Sequence, residues 1–304
     1  MFGINLRNCK KRFRKPVALA LGFFECLHLG HVELIEKTEE LAKQYGAISA
    51  ITLFSDLEQN AIETFTYTER MTELYNLGIG GVASVDFDEN FKKMSGDDFL
   101  QLLISKLDIK AIVCGYDYKF GHNASCGIKE LQEFANKKNI YIEIIEPVKL
   151  DGVRISSTLI RSHLLLGEVG IAAKYLGKDF YIDGTVVMGV KRGRKLGFRT
   201  ANIVPDGDKL IPKMGVYKTV TTIYGKKEKH TKKYNSITHV GSKPTFNEKG
   251  QTVETHILGF KKRIYDKDIR VTFLEYLRPI IKFNSKEELI KQLKKDIEEI
   301  KKSE

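Results

Sequence analysis

The sequence predicts an α/β domain built on a parallel sheet, followed by an antiparallel β-barrel that ends in a C-terminal helix. Three observations carry this expectation. Strand-like and helix-like segments alternate through the first half, and repeated units of that kind build a parallel sheet with helices on both faces. After Gly177 short strand-like segments follow one another between turn residues, which is the pattern of an antiparallel barrel. The formal charge also changes sign there, from −2 over residues 1–177 to +13 over residues 178–304. A chain of 304 residues favours two domains over one, so the expected division is 1–177 and 178–304.

The elements follow in order. Val17–Leu21 is apolar and reads as a buried strand, and Leu34, Ile35, Leu41 and Ala42 form a helical stripe within His31–Gly46. Ile48–Phe54, Val82–Phe87, Ala111–Gly115 and Tyr141–Ile145 read as further strands, with helices over Thr68–Leu77, Gly96–Leu107 and Ile128–Lys138. Ser157–Leu166 and Val169–Leu176 read as two short helices. The barrel strands are expected at Phe180–Val187, Gly215–Tyr224, Tyr234–Val240, Val253–Phe260 and Ile269–Tyr276. The closing helix has Ser285 as its cap, Glu288 completing a capping box, and an apolar stripe of Leu289, Leu293, Ile297 and Ile300.

Composition narrows the class. No apolar run reaches the roughly 18 residues of a membrane span. The basic segment Met1–Lys15 leads into no signal core, and the expected location is the cytoplasm. Cys9, Cys26, Cys114 and Cys126 have neither redox-pair nor zinc spacing and are expected to be reduced thiols. The basic second half admits nucleic acid, anionic lipid or phosphorylated small molecules as partners. Its Lys-rich turns, such as 226–233, read as solvated surface.

Two regions carry chemistry. The run Leu21-Gly22-Phe23-Phe24-Glu25-Cys26-Leu27-His28-Leu29-Gly30-His31 leaves the first buried strand and opens a helix. A helix start presents free N–H groups and a positive dipole end to phosphate. Gly22, Phe23 and Gly30 are candidate ATP-binding positions, and His28 and His31, three apart, can donate from one face. Transfer of AMP from ATP needs fixed donors for the charge on phosphorus in the transition state, and no protein nucleophile if an acceptor phosphate attacks directly. Ser156, Ser157 and Thr158, with Arg161 one turn on, make a second phosphate grip at another helix start. The turn Gly115-Tyr116-Asp117-Tyr118-Lys119-Phe120 places Asp117 and Phe120 where a ring could stack. Taken singly, each feature has a bland reading as cap or core; their convergence on strand ends of one sheet, where such sheets bind ligands, favours a site. Cys26, in the first turn, is expected to make the protein modestly sensitive to thiol reagents.

The second region lacks a P-loop. Instead, Gly189-Val190-Lys191-Arg192-Gly193-Arg194-Lys195-Leu196-Gly197-Phe198-Arg199-Thr200-Ala201-Asn202 is a glycine-spaced basic loop. Gly189, Lys191, Gly193 and Gly197 are candidate ATP contacts in a nest-like arrangement. Thr200 and Asn202 offer neutral oxygens to a hydrated Mg²⁺. Glu254, in Val253-Glu254-Thr255-His256, is the candidate base for an attacking hydroxyl.

These residues resemble the bifunctional bacterial riboflavin kinase/FAD synthetases over roughly residues 16–300. The H-x-G-H motif is matched by His28–His31 and the S-S-T-x-I-R motif by Ser156–Arg161. Gly215-Val216-Tyr217, Gly241–Phe246 and Leu277-Arg278-Pro279 match further segments. The resemblance implies a Rossmann-like nucleotidyltransferase domain followed by a riboflavin kinase barrel. It implies ATP, riboflavin, FMN and FAD as substrates and products, Mg²⁺ as cofactor, Thr200 and Asn202 as its holders, and Glu254 as catalytic base. It carries Arg278 over as a flavin or nucleotide contact. No nucleic-acid or membrane partner is expected. Three departures stand out: Glu25 and Cys26 replace an Asp and a Gly of the first motif, the P-H-P after the second strand is missing, and Arg199 replaces a Pro. They motivate a rival reading, a one-activity riboflavin kinase with a decayed adenylyltransferase module. The basic half motivates another, a flavin- or nucleic-acid-binding regulator.

Overall fold

The computed structural model describes residues 1–55, 62–189, 198–224, 231–242 and 251–302. It divides into two compact units, Met1–Ser157 and Thr158–Glu304.

The first unit holds a six-stranded sheet of β1 (Phe2–Asn5), β2 (Pro16–Leu21), β3 (Ile48–Ser55), β4 (Gly81–Asp86), β5 (Asp108–Gly115) and β6 (Tyr141–Ile145). The spatial order is β1-β4-β3-β2-β5-β6, and every pairing is parallel. Five of these strands coincide with the sequence reading. The edge strand β1 does not: its four residues show no alternation, and pairing with β4 makes it a strand.

The connecting helices are α1 (Leu29–Gln44), α2 (Tyr67–Asn76), α3 (Glu89–Lys92), α4 (Gly96–Lys106) and α5 (Ile128–Lys138). Alternate residues of β2 feed opposite layers. Leu19 and Leu21 join Phe99, Leu103, Leu131 and Phe134 from α4 and α5 on one face. Ala18 and Ala20 join Leu34, Ile35 and Leu74 from α1 and α2 on the other. The strand order reverses between β2 and β5, and that switch point leaves a crevice at their carboxyl ends. A small hairpin, β7 (Lys149–Leu150) and β8 (Val153–Arg154), turns through left-handed Asp151 and Gly152.

The second unit takes in α6 (Ser157–Leu166) but for its first residue, α7 (Val169–Leu176) and a closed six-stranded barrel. Its strands are β9 (Tyr181–Val187), β10 (Ala201–Pro205), β11 (Gly215–Ile223), β12 (Lys232–Ser242), β13 (Gln251–Ile257) and β14 (Asp268–Arg278). They close in the order β10-β13-β12-β11-β14-β9, and all pairings are antiparallel. The sequence reading has five strands here and takes Ala201 and Asn202 as loop. The structure corrects this, because β10 closes the barrel between β13 and β9.

Part of the barrel interior is polar. Thr219, Ser236, Thr221, Thr255 and Thr238 are at most 1% exposed. Their hydroxyls form a closed ring with successive spacings of 2.8, 2.8, 3.3, 3.0 and 2.8 Å. In a closed ring each hydroxyl can donate once and accept once, so none is left unpaired away from water.

The last helix, α8 (Lys286–Lys302), lies on the outside of the barrel. Ile297 and Ile300 pack against Val216 and Ile237. Ser285 Oγ accepts the N–H of Glu288 at 3.2 Å. The Glu288 carboxylate accepts from Asn284 N rather than from Ser285 N, so the expected box is displaced by one residue. Among the described residues no helix is long and apolar enough to cross a membrane.

Replacing Thr238 by Val should break the hydroxyl ring and leave Thr219 and Thr255 short of a partner. The expected cost is roughly 1–3 kcal/mol, read as a lower urea midpoint for the barrel with the m-value unchanged.

Candidate functional site

The crevice of the first unit encloses about 710 Å³. Its floor is the turn between β2 and α1. Phe24 (φ 47°) and Leu27 (φ 49°) both sit in the left-handed region without being glycine, a strain found where a site over-determines the backbone. His28 is the N-cap of α1, and its Nδ1 accepts the N–H of His31 at 3.2 Å. That bond fixes the tautomer: with Nδ1 an acceptor, the neutral ring carries its proton on Nε2. The His28 and His31 rings stack with centroids 3.8 Å apart and planes at 9°. Gly30 makes room for this pair, because a Cβ there would lie 3.1 Å from His28 Cε1.

Burial pushes the His28 imidazole down from 6.5 to about 4, its own backbone hydrogen bond opposing and the Arg154 charge adding to the fall. His31 is pushed well below its ordinary value by burial and by His28. Its Nδ1 is buried without a hydrogen-bond partner. Two neutral imidazoles at a helix start, one of them with an unpaired ring nitrogen, make a set of donors suited to an anion that brings its own charge.

Other sequence-selected residues meet in the same crevice. Gly22, Phe23, Asp117, Phe120, Ser156 and Ser157 all line it. Thr158 and Arg161 continue α6 and belong to the second unit. Much of the remaining lining is aromatic, beyond what the motifs indicated. Phe23 stacks on Phe54 at 5.3 Å, Phe54 meets Phe87 and Phe91 edge-on or tilted, and Tyr118 stacks on Phe120 at 5.8 Å. Such a wall takes a flat ring system. Phe54 lies on β3, Phe87 just after β4 and Phe91 in α3, so only Phe87 and Phe91 are near in the chain and their junction with Phe54 has no local spacing. Arg154 was also missed: it ion-pairs with Asp117 and lies 5.0 Å from the Tyr116 ring. The structure therefore gives Asp117 a cationic partner at the rim.

The departures in the first turn have structural counterparts. Glu25 is buried, and its Oε1 accepts from Thr64 N at 3.2 Å and Thr64 Oγ1 at 3.0 Å. The longer carboxylate thus fastens the turn to the segment that leads into α2. That segment is held by Arg70, fully buried, whose Nη2 donates to Glu63 at 2.8 Å. Burial pushes Glu63 up and Arg70 down despite their mutual attraction. Cys26 has no exposed surface, which removes the basis for the expected thiol sensitivity, since reagents attack accessible thiolates. All four cysteines are free thiols.

In the barrel, Gly189, Arg199, Thr200 and Asn202 surround a small recess of about 80 Å³. Lys191, Gly193 and Gly197 lie outside the described residues. Asn202 Oδ1 is buried without a partner, and a Cβ on Gly189 would collide with the Asn202 amide. An orphaned neutral oxygen beside a side-chain-free cradle fits a hydrated divalent cation. Arg199, where a Pro was noted to be absent, is tied on two sides. Its Nη1 donates to Lys261 O, and its carbonyl meets His256 Nδ1, both at 2.8 Å. Glu254 on β13 stands directly opposite Asn202 on β10. Arg278 is gripped by Asp296 of α8 through Nε at 3.0 Å and Nη2 at 2.7 Å.

Two outcomes follow for the first unit. Glu25→Ala should cost roughly 1–3 kcal/mol by stranding the Thr64 donors, seen in urea unfolding of that unit. The stability that rests on neutral His28 should be complete above about pH 6.5 and be lost as pH falls from there toward 4, because the unfolded chain binds the proton first. His28→Asn, which keeps a capping oxygen, should flatten that part of the stability–pH curve.

Comparison with known proteins agrees with this geometry. A family described as FAD synthetase matches residues 10–159, and one described as riboflavin kinase matches residues 176–304. The bifunctional riboflavin kinase/FMN adenylyltransferase of Listeria monocytogenes is 31% identical over 287 residues, covering 91% of this chain and 89% of that one. Its counterpart in Buchnera aphidicola subsp. Schizaphis graminum is 32% identical over 304 residues, covering 96% and 95%. A crystal structure from Streptococcus pneumoniae, described as a macrolide-efflux protein, covers 98% of both chains at TM-score 0.85 and 28% identity. With more than 30% identity over about nine-tenths of its relatives' length, this chain belongs to the bifunctional riboflavin kinase/FMN adenylyltransferase family.

Proposed function

We propose that the barrel unit transfers the γ-phosphate of ATP to the ribityl hydroxyl of riboflavin, and that the sheet unit transfers AMP from a second ATP to the resulting FMN. The observation that carries the reading is the crevice at the switch point. Its lining combines the polar groups of His28, His31, Ser156 and Ser157 with a cluster of aromatic rings. A nucleotide needs the first and an isoalloxazine ring the second.

In the adenylyl transfer, a phosphate oxygen of FMN attacks the α-phosphorus of ATP and pyrophosphate leaves. His28 donates from Nε2 and His31 from its buried ring to the oxygens that gain charge. Gly22 and Gly30 are the proposed nucleotide positions, Phe23 is shared between the nucleotide and the ring cluster, and the motif resemblance assigns Thr158 and Arg161 to the triphosphate. Asp117 and Phe120 bear on the flavin. The burial of both imidazoles supports their entering the reaction neutral. Phosphate charge arriving beside them favours their protonated forms, so donation strengthens as the ligand binds.

In the kinase reaction Glu254 accepts the proton of the ribityl hydroxyl as the oxygen attacks the γ-phosphorus, the bond to the β,γ-bridging oxygen breaks and ADP leaves. Thr200 and Asn202 are the proposed holders of Mg²⁺, which when bound neutralises charge on the ATP phosphates. Gly189 and the loop residues Lys191, Gly193 and Gly197 are the proposed phosphate contacts. Arg278 is placed on the flavin or nucleotide side. The catalytic division is proposed at residues 177 and 178, on the change in charge sign. A cytoplasmic location is proposed on the supply of ATP and the free thiols, with flavins and ATP rather than nucleic acid as partners.

The test is incubation with riboflavin, ATP and Mg²⁺, with flavins separated over time. FMN should appear first and FAD after it. Glu254→Gln should abolish FMN formation and leave FAD formation from supplied FMN intact. His31→Ala should do the reverse, slowing FAD formation by roughly 10²–10³-fold. FMN accumulating without FAD in the parent protein would reject the adenylyltransferase assignment.

A further inference from the structure

The barrel's register sets an unassigned histidine beside the proposed kinase base. Residues directly opposite in an antiparallel pair project from the same face, with Cβ atoms about 4.5–5.5 Å apart. Glu254 on β13 has two such neighbours, Asn202 on β10 and His239 on β12. His239 in turn stands opposite Val216 on β11, and Val216 opposite Arg278 on β14. Asn202, Glu254, His239 and Val216 therefore share one rung, and Arg278 follows across a register irregularity between Val216 and Tyr217. Asp296 of α8, only 1% exposed, closes the row by gripping Arg278 with both oxygens.

Three facts single out His239 within this row. Its ring leans along its own strand over Gly241, where a Cβ would lie 2.5 Å from the imidazole Cε1; a side chain at that position would displace the ring. Burial pushes the imidazole down, with Glu254 pulling it up and Arg278 pushing it further down. The groups facing it from the packed elements are Glu254, Arg278 and, through Arg278, Asp296. Val216 separates it from Arg278 along the row, and Arg278 is already committed to Asp296, so Glu254 is the nearest acceptor on the row for an imidazole N–H. The structure shows no hydrogen bond between the His239 and Glu254 side chains; an imidazole N–H turned from Gly241 to that carboxylate would hold one oxygen and keep the other aimed, which a base needs in order to meet a hydroxyl at hydrogen-bond distance.

We propose that His239 is a positioning residue of the kinase site, holding the Glu254 carboxylate in the orientation that accepts the ribityl proton. The proton goes to Glu254, and His239 itself takes no part in the transfer. The Arg278–Asp296 pair anchors the far end of the same row to the C-terminal helix. The inference rests on the reading of Glu254 as the base.

The experiment uses the full chain in three variants, H239L, H239N and E254Q, each assayed for FMN formation from riboflavin and for FAD formation from supplied FMN. Leu fills the space of the imidazole without a donor, whereas Asn keeps one. H239L should lower kcat for FMN formation about 10- to 100-fold, part of the 10²–10⁴ that a positioned base supplies, with KM for riboflavin and ATP within about twofold. H239N should recover most of that loss. FAD formation should match the parent in both, which reports intact protein through the other unit. Combining H239L with E254Q should add nothing to E254Q alone. An H239L enzyme with parental kcat overturns the inference, as does an equal loss in H239L and H239N. If E254Q itself makes FMN at the parental rate, the reading of Glu254 fails; if E254Q is inactive while H239L is unimpaired, only the role of His239 fails. Should H239L lack a folded barrel by circular dichroism, H239A replaces it in the same comparison.

Discussion

The hydrogen bond from the His31 backbone to His28 Nδ1 organises the first unit's chemistry. As a helix cap it satisfies one of the donors left open at the start of α1. As a bond to one ring nitrogen it also decides where the His28 proton sits, and so which atom faces the crevice. The stacked His31 ring, the bare backbone at Gly30 and the left-handed Phe24 and Leu27 all serve to keep this cap in place. Strain in the turn is held by burial beneath it, with Glu25 tied to Thr64 and Arg70 tied to Glu63. The carboxylate that departs from the family motif is thus part of the turn's support.

The barrel meets a different demand. Closing six strands removes every edge and fixes each residue's neighbours on both sides. Chemistry that a loop would have to assemble is therefore delivered by register. Asn202, Glu254, His239 and Val216, on β10, β13, β12 and β11, stand on one rung of the outer face. The inner face of the same strands carries the hydroxyl ring, to which Thr255, the neighbour of Glu254, contributes. A slip of one residue in β13 would turn Glu254 inward and break the ring at once. The two faces thus hold each other in register.

The two sites also differ in how they handle charge. The crevice presents buried neutral rings and helix-start N–H groups, an arrangement in which the charge would come with the ligand. Among the described residues of the barrel, two arginines are instead held by carboxylates: Arg278 by Asp296, and Arg270 by Asp183, at 2.7–2.8 Å.

Local features were legible in the order of residues. Period-2 and period-3.6 patterns marked most strands and helices, because each needs only its own residues to show a buried face. Glycine and histidine spacing marked the first turn, because a helix start is built from adjacent residues. What depends on distant pairing was decided by the tertiary structure alone. β1 is too short to show alternation and exists because β4 offers it an edge. β10 read as a loop because its partners, β9 and β13, lie on either side of it in space only. Phe54, Phe87 and Phe91 become a wall, and His239 a neighbour of Glu254, only when the chain closes. The physical reason is the same in each case: hydrogen-bonded register and packing join residues that share no local period, and no spacing along the chain encodes them.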